Sequence, residues 1–129
     1  MFKTIDGGKL PQRATRYSSG FDVFANEDKV IGAGCTELIG LGIALDIEIK
    51  NNEFQIQHYK RNANSHFLEL HIRSSLRAKG LTSLGTGVSD IDYDQEIKMV
   101  IHNPIFGVNE YGSYGSNKLD CYEIKKATK

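Results

Sequence analysis

Residues 87 to 96 read GVSDIDYDQE, placing three aspartates, a glutamate and a tyrosine within ten positions. Carboxylates at this density are the groups with which proteins polarise water or manage cations. They are also the ordinary content of a solvated turn, since a strand should not crowd so many like charges. Apolar segments bracket this run and Tyr93 directly follows Asp92, so a turn and a site are the two readings to separate. A second chemical feature lies upstream in SSLRAKG (74–80), the one segment with helical character. Ser74 can cap it, Leu76 can face inward and Gly80 can end it in a left-handed conformation. Its first N–H groups follow immediately on Arg73, which outlines an anion site. The alternative there is an ordinary turn beside a solvated arginine.

The elements that must position these residues are strands. Ile39, Leu41, Ile43, Leu45, Ile47 and Ile49 alternate with Gly, Ala, Asp and Glu in IGLGIALDIEI. Period two over eleven residues predicts one half-buried strand with a single face in the core. Leu68, Leu70 and Ile72 repeat the pattern, as do Ile97, Met99 and Ile101. Shorter candidates are FDVFA (21–25), KVI (29–31), EFQIQ (53–57) and CYEI (121–124). Punctuated by Gly, Asn, Asp and Ser, they predict an all-β sandwich or jelly-roll-like barrel with one short helix near 74–79. Residues 50–66 read as a protruding polar hairpin, and 107–117, rich in Gly, Ser, Asn and Tyr, as a loop. No internal repeat or linker divides the chain, so 1–129 is expected to be a single domain.

Composition excludes several classes. Sixteen basic and sixteen acidic residues cancel, so no global field recruits nucleic acid or an anionic membrane. No apolar run approaches the roughly 18 residues of a membrane span, and MFKTIDGGKL is not a signal peptide, so a cytoplasmic protein is expected. Cys35 and Cys121, neither beside a histidine nor in a CxxC, read as small packing residues in a reducing compartment. His58, His66, His71 and His102 match no metal-site spacing and read as surface or hydrogen-bonded histidines.

In chain order, KLPQRAT…SSGFDVFA (9–25), IRSSL (72–76) and GVSDIDY (87–93) resemble motifs one, two and three of the trimeric dUTP pyrophosphatases (dUTPases). The resemblance runs from Lys9 to about Lys126. It implies an all-β subunit of a homotrimer hydrolysing deoxyuridine triphosphate to the monophosphate and pyrophosphate. By this resemblance Asp90 is the base that activates water, and Tyr93 lies against the deoxyribose, leaving no space for a 2′-hydroxyl. The backbone of the hairpin at Gly87 and Val88 faces the pyrimidine. Arg73 and Ser74, with Ser75, hold phosphate oxygens. Asp22 belongs to the polar network around the Mg²⁺-bound triphosphate and meets the metal indirectly, through water, because magnesium keeps much of its hydration. The acidic run then becomes the turn of a β-hairpin, with Asp92 stabilising the turn and Asp94 and Glu96 at the surface.

The chain departs from the pattern in places. Ile72 replaces the proline usual before the motif-two arginine, and the uracil-facing asparagine of some members is absent from LGTGVSD. CYEIKKATK resembles the strand before motif four, but that motif (G-D-R-x-x-Q) and the glycine-rich fifth motif, whose aromatic residue closes over the base, are missing. The expectation is therefore a dUTP diphosphatase of reduced activity. The alternative is a catalytically inactive trimer of the same fold, of phage origin, with a structural or regulatory role. A dCTP deaminase-like protein is a third reading, opposed by GVSDIDY.

Overall fold

In the computed structural model the residues described are 1–56, 58–74, 77, 80–82, 87–104 and 122–124. The chain is all-β, in strand order β1 (Phe2–Thr4), β2 (Lys29–Ile31), β3 (Thr36–Gly40), β4 (Ile43–Leu45), β5 (Glu53–Ile56), β6 (Tyr59–Asn62), β7 (Phe67–Leu70), β8 (Gly87–Asp90), β9 (Lys98–His102) and β10 (Tyr122–Ile124). Among the described residues all strand pairing is antiparallel: β1 with β4, β2 with β10, β3 with β9, β5 with β6, and β7 with β8. Three of these five ladders join strands far apart in sequence, as a jelly roll requires. The core gathers Ile31, Ile39, Leu41, Ile43, Ile72, Leu81, Ile97, Met99, Ile101 and Ile124. Among the described residues no helix is long and apolar enough to cross a membrane.

The predicted eleven-residue strand is instead two short ones. The break falls at Gly42, whose φ of +65° is a left-handed conformation that a side chain resists. The glycine is required by contact as well. A Cβ on Gly42 would stand 2.7 Å from Gly8 Cα and 2.7 Å from Asn26 Cγ, and one on Gly8 would stand 2.0 Å from the Gly42 carbonyl oxygen. The close approach lets the Ile5 N–H donate to that carbonyl at 2.8 Å. Both faces of 39–45 are covered rather than one. Beyond Leu45 the chain leaves the sheet, so Ile47 is half-buried and Ile49 exposed.

Other expectations were met or shifted for local reasons. KVI is β2, EFQI is β5, and YEI is β10. The 50–66 segment does form a hairpin of β5 and β6, entered through Asn51 and Asn52, both at positive φ as a tight two-residue turn requires. A 3₁₀ turn over Ala63–Ser65, capped by Asn62 Oδ1 on the Asn64 N–H, was not anticipated. FDVFA is not a strand: it has no ladder and is held by the single Gln12–Asp22 bridge. Cys35 is exposed rather than packed, because it sits in the turn after β2 that Gly32 O and Cys35 N close at 3.0 Å. His58, His66 and His71 are exposed, and His102 Nδ1 shares a 2.8 Å hydrogen bond with Thr36 Oγ1. Ser75, Leu76, the 107–117 loop and Cys121 lie outside the described residues.

Candidate active site

The chemistry-bearing residues fall into two groups. The first stands where β7 ends. Leu68 and Leu70 pack against the core, Ile72 is buried, and the alternation leaves Arg73 exposed. Ser74 and Arg77 are helical, the Arg77 N–H donates to Arg73 O at 3.0 Å, and Gly80 closes the turn at φ +90°. Gly80 is left-handed as the sequence predicts, but Ser74 lies within the helical turn rather than at its cap, with Arg73 O accepting the first bond. Arg73 Nε lies 3.9 Å from Asp22 Oδ1. Asp22 is fixed by two backbone hydrogen bonds with Gln12, at 2.7 and 3.0 Å. Motifs one and two thus meet through an acid and a guanidinium. The arginine side chain is 63% exposed, so this pair is weak and leaves most of its donors available to an anion.

The second group lines a cleft of about 260 Å³ that contains Gly87, Val88, Asp90 and Tyr93, together with Leu70, Ser89, Ile97 and Lys98. Strand β8 pairs with β7 in the register Leu68↔Ser89 and Leu70↔Gly87. That register turns Ser89 inward and leaves Val88 and Asp90 outside. After Asp90 the chain turns, with the Tyr93 N–H donating to Asp90 O at 3.1 Å and the Tyr93 hydroxyl donating to Glu96 O at 3.2 Å. These contacts tie Tyr93 to the backbone on both sides of the turn, and it lines the same cleft as Asp90.

This turn does not close a hairpin, contrary to the expectation. Ile97 is captured instead where β3 passes into β4: its N–H donates to Ile43 O at 2.8 Å, and its carbonyl accepts from Leu41 N–H at 3.1 Å. The chain therefore crosses from the β7–β8 ladder to the β3–β9 ladder. Glu96 is likewise not a surface residue. It is half-buried, and its Oε2 accepts the Gly42 N–H at 3.1 Å. Asp92 and Asp94 are exposed.

Within one chain the two groups line separate clefts. Asp22 and Arg73 border an apolar-floored cavity of about 130 Å³ that includes neither Asp90 nor Tyr93. Lys98 and Ser89 were missed by sequence reasoning. Period two in GVSD carries the signal for Ser89, whereas nothing local marks Lys98.

No family-wide sequence profile matches the chain. It is 33% identical over 103 residues to the deoxyuridine 5'-triphosphate nucleotidohydrolase of Debaryomyces hansenii, across 80% of this chain and 55% of that protein. It is 33% identical over 119 residues to the enzyme of the same name from Nautilia profundicola, across 91% and 64%. For the Clostridium tetani protein of that name the values are 35% over 100 residues, 76% and 59%. The chain thus spans between about half and two thirds of the length of these curated relatives. Among solved structures, a mutant dUTPase of phage phi11 of S. aureus, described with a structural Mg(II) ion, matches with a TM-score of 0.73 at 19% identity. The match covers 100% of this chain and 84% of that one. A mutant of the Staphylococcus bacteriophage 80alpha dUTPase with dUpNHpp matches with a TM-score of 0.72 at 18% identity, over 100% and 76%. The structures carry the fold and the sequences carry the kinship: the chain belongs to the dUTPase family.

Proposed function

We propose that this chain hydrolyses dUTP to dUMP and pyrophosphate as a homotrimer in the presence of Mg²⁺. The observation that carries the reading is the sharing of one cleft by Gly87, Val88, Asp90 and Tyr93. In the proposed reaction Asp90 takes a proton from a water whose oxygen attacks the α-phosphorus. The bond from that phosphorus to the bridging oxygen breaks, and pyrophosphate leaves with the electron pair. Tyr93, steadied through its hydroxyl, packs against the deoxyribose where a 2′-hydroxyl would project. The backbone at Gly87 and Val88 faces the base, while Arg73, Ser74 and Ser75 neutralise phosphate oxygens as charge develops on them.

The separation of the two groups within one chain supports the trimer. A neighbour's Asp22, Arg73 and Ser74 placed over the Asp90 cleft would complete the site that a single copy leaves divided. The shared core, drawn from β2, β3, β9 and β10, supports a single domain over residues 1–129.

The donor set fits magnesium. Asp22 offers hard oxygen atoms beside the phosphate-binding arginine, and among the described residues no group of three or more His, Cys, Asp or Glu side chains forms a cage. Such a site suits a cation held largely by phosphates and water, with Asp22 acting through water. When bound, the metal supplies charge neutralisation to the triphosphate. A cytoplasmic location accords with such a substrate.

The test is pyrophosphate release from dUTP, dCTP, dTTP and UTP with Mg²⁺, alongside mass by light scattering. We expect dUTP to be preferred by a trimer. Asp90→Asn should lower turnover by about 10²- to 10⁴-fold while nucleotide binding survives. Turnover equal in wild type and Asp90→Asn would remove Asp90 from the chemistry.

A further inference from the structure

We propose that Lys98 is a specificity-determining residue, whose ammonium donates to the 4-carbonyl of a uracil base and so selects dUTP over dCTP. The inference rests on the reading of the Asp90 cleft as the nucleoside site.

Lys98 opens β9 opposite Gly40, in a strand whose Met99 and Ile101 are buried and whose Lys98 and Val100 face outward. It lines the cleft that holds Asp90 and Tyr93, and also the neighbouring hollow that holds Glu27 and Glu96. Lys98 therefore borders both hollows. Lys29, which borders the same hollow, has Glu27 and Glu37 at 3.9 and 4.0 Å. Lys98 forms no ion pair among the described residues.

The cleft leaves few other candidates for reading a base by side chain. Leu70, Val88 and Ile97 are apolar and Gly87 has no side chain. The Tyr93 hydroxyl already donates to Glu96 O, and the Ser89 hydroxyl is buried. Asp90 is an acceptor assigned to water. Among the described lining residues, Lys98 is the one whose side chain has donors left to offer a base.

The chemistry discriminates in one direction. An ammonium has three donors and no acceptor. Uracil presents a carbonyl acceptor at position 4, where cytosine presents an amino donor. A lysine facing that edge binds the first and repels the second. This is a side-chain complement to the backbone reading at Gly87 and Val88, in a sequence that lacks the uracil-facing asparagine of some relatives.

The test is calorimetric binding of α,β-imido dUTP and α,β-imido dCTP, with Mg²⁺, to wild type, Lys98→Met and Lys98→Arg. Lys98 is exposed, so thermal melting of each variant should stay near that of wild type. Lys98→Met should raise the Kd for the uracil nucleotide by about 10- to 100-fold and leave that for the cytosine nucleotide unchanged or lowered. Lys98→Arg, which keeps donors, should restore most of the preference. A dCTP-to-dUTP ratio in Lys98→Met within twofold of wild type would overturn the proposal, as would equal losses for both nucleotides, which would mark a phosphate contact instead. If wild type binds neither nucleotide, the nucleoside site and this inference fall together. If wild type prefers dUTP and Lys98→Met keeps that preference, the inference alone falls.

Discussion

Ser89 sits beside Asp90 on β8 and faces the opposite way. The residue is 9% exposed, it stands across from Leu68, and its Oγ has no hydrogen-bond partner among the described residues. A buried hydroxyl without a partner carries its desolvation penalty uncompensated, on the order of 1 kcal/mol or more. Ser89→Ala should therefore stabilise the protein by about 1 kcal/mol, read as a rise of roughly 3–5 °C in Tm. A fall in Tm would mean that the hydroxyl finds a partner in solution. At this scale the sequence was partly legible. Asp90 and Tyr93 are three positions apart, so a local turn suffices to bring them together, and spacing alone suggests it. The pairing of Arg73 with Asp22 and the presence of Lys98 in the cleft depend on where distant strands lie, which no local pattern encodes.

At the scale of elements, the alternation of apolar residues located β3, β4, β7 and β9 because period two in a strand is a direct consequence of the pleat. The same pattern misplaced their ends. Gly40 and Gly42 look like gap-fillers on a solvent face, yet both are covered: a Cβ on Gly40 would meet Glu96 Oε2 at 2.9 Å, and Gly42 touches the Gly8 backbone. Glycine that permits close approach and glycine that merely tolerates solvent are identical in sequence. Two substitutions separate these effects. Gly34 and Gly42 have φ of +72° and +65°, but a Cβ on Gly34 meets nothing within 4 Å. Gly34→Ala should cost the backbone strain alone, about 1 kcal/mol, whereas Gly42→Ala should cost about 3 kcal/mol or more because backbone must also move. Urea unfolding of the two variants would measure the difference. Equal losses would contradict the tight Gly8–Gly42 contact.

Across the whole molecule, the acidic connection from Asp90 to Lys98 leaves one strand ladder and enters another. The cleft beside it takes Leu70 from β7, Gly87 to Asp90 from β8, and Lys98 from β9. A nucleotide seated there is a rivet through a seam: it grips two ladders that exchange no strand-to-strand hydrogen bonds across this turn among the described residues. Slippage along that seam then requires the rivet to leave first. Its effect on unfolding should follow mass action, adding about 2.7 kcal/mol when α,β-imido dUTP stands at 100 times its Kd. A melting temperature that does not move at saturating nucleotide would place the ligand elsewhere. The protection should also travel, with amide exchange slowing in β3, which contributes no described residue to the cleft but pairs with β9, which does.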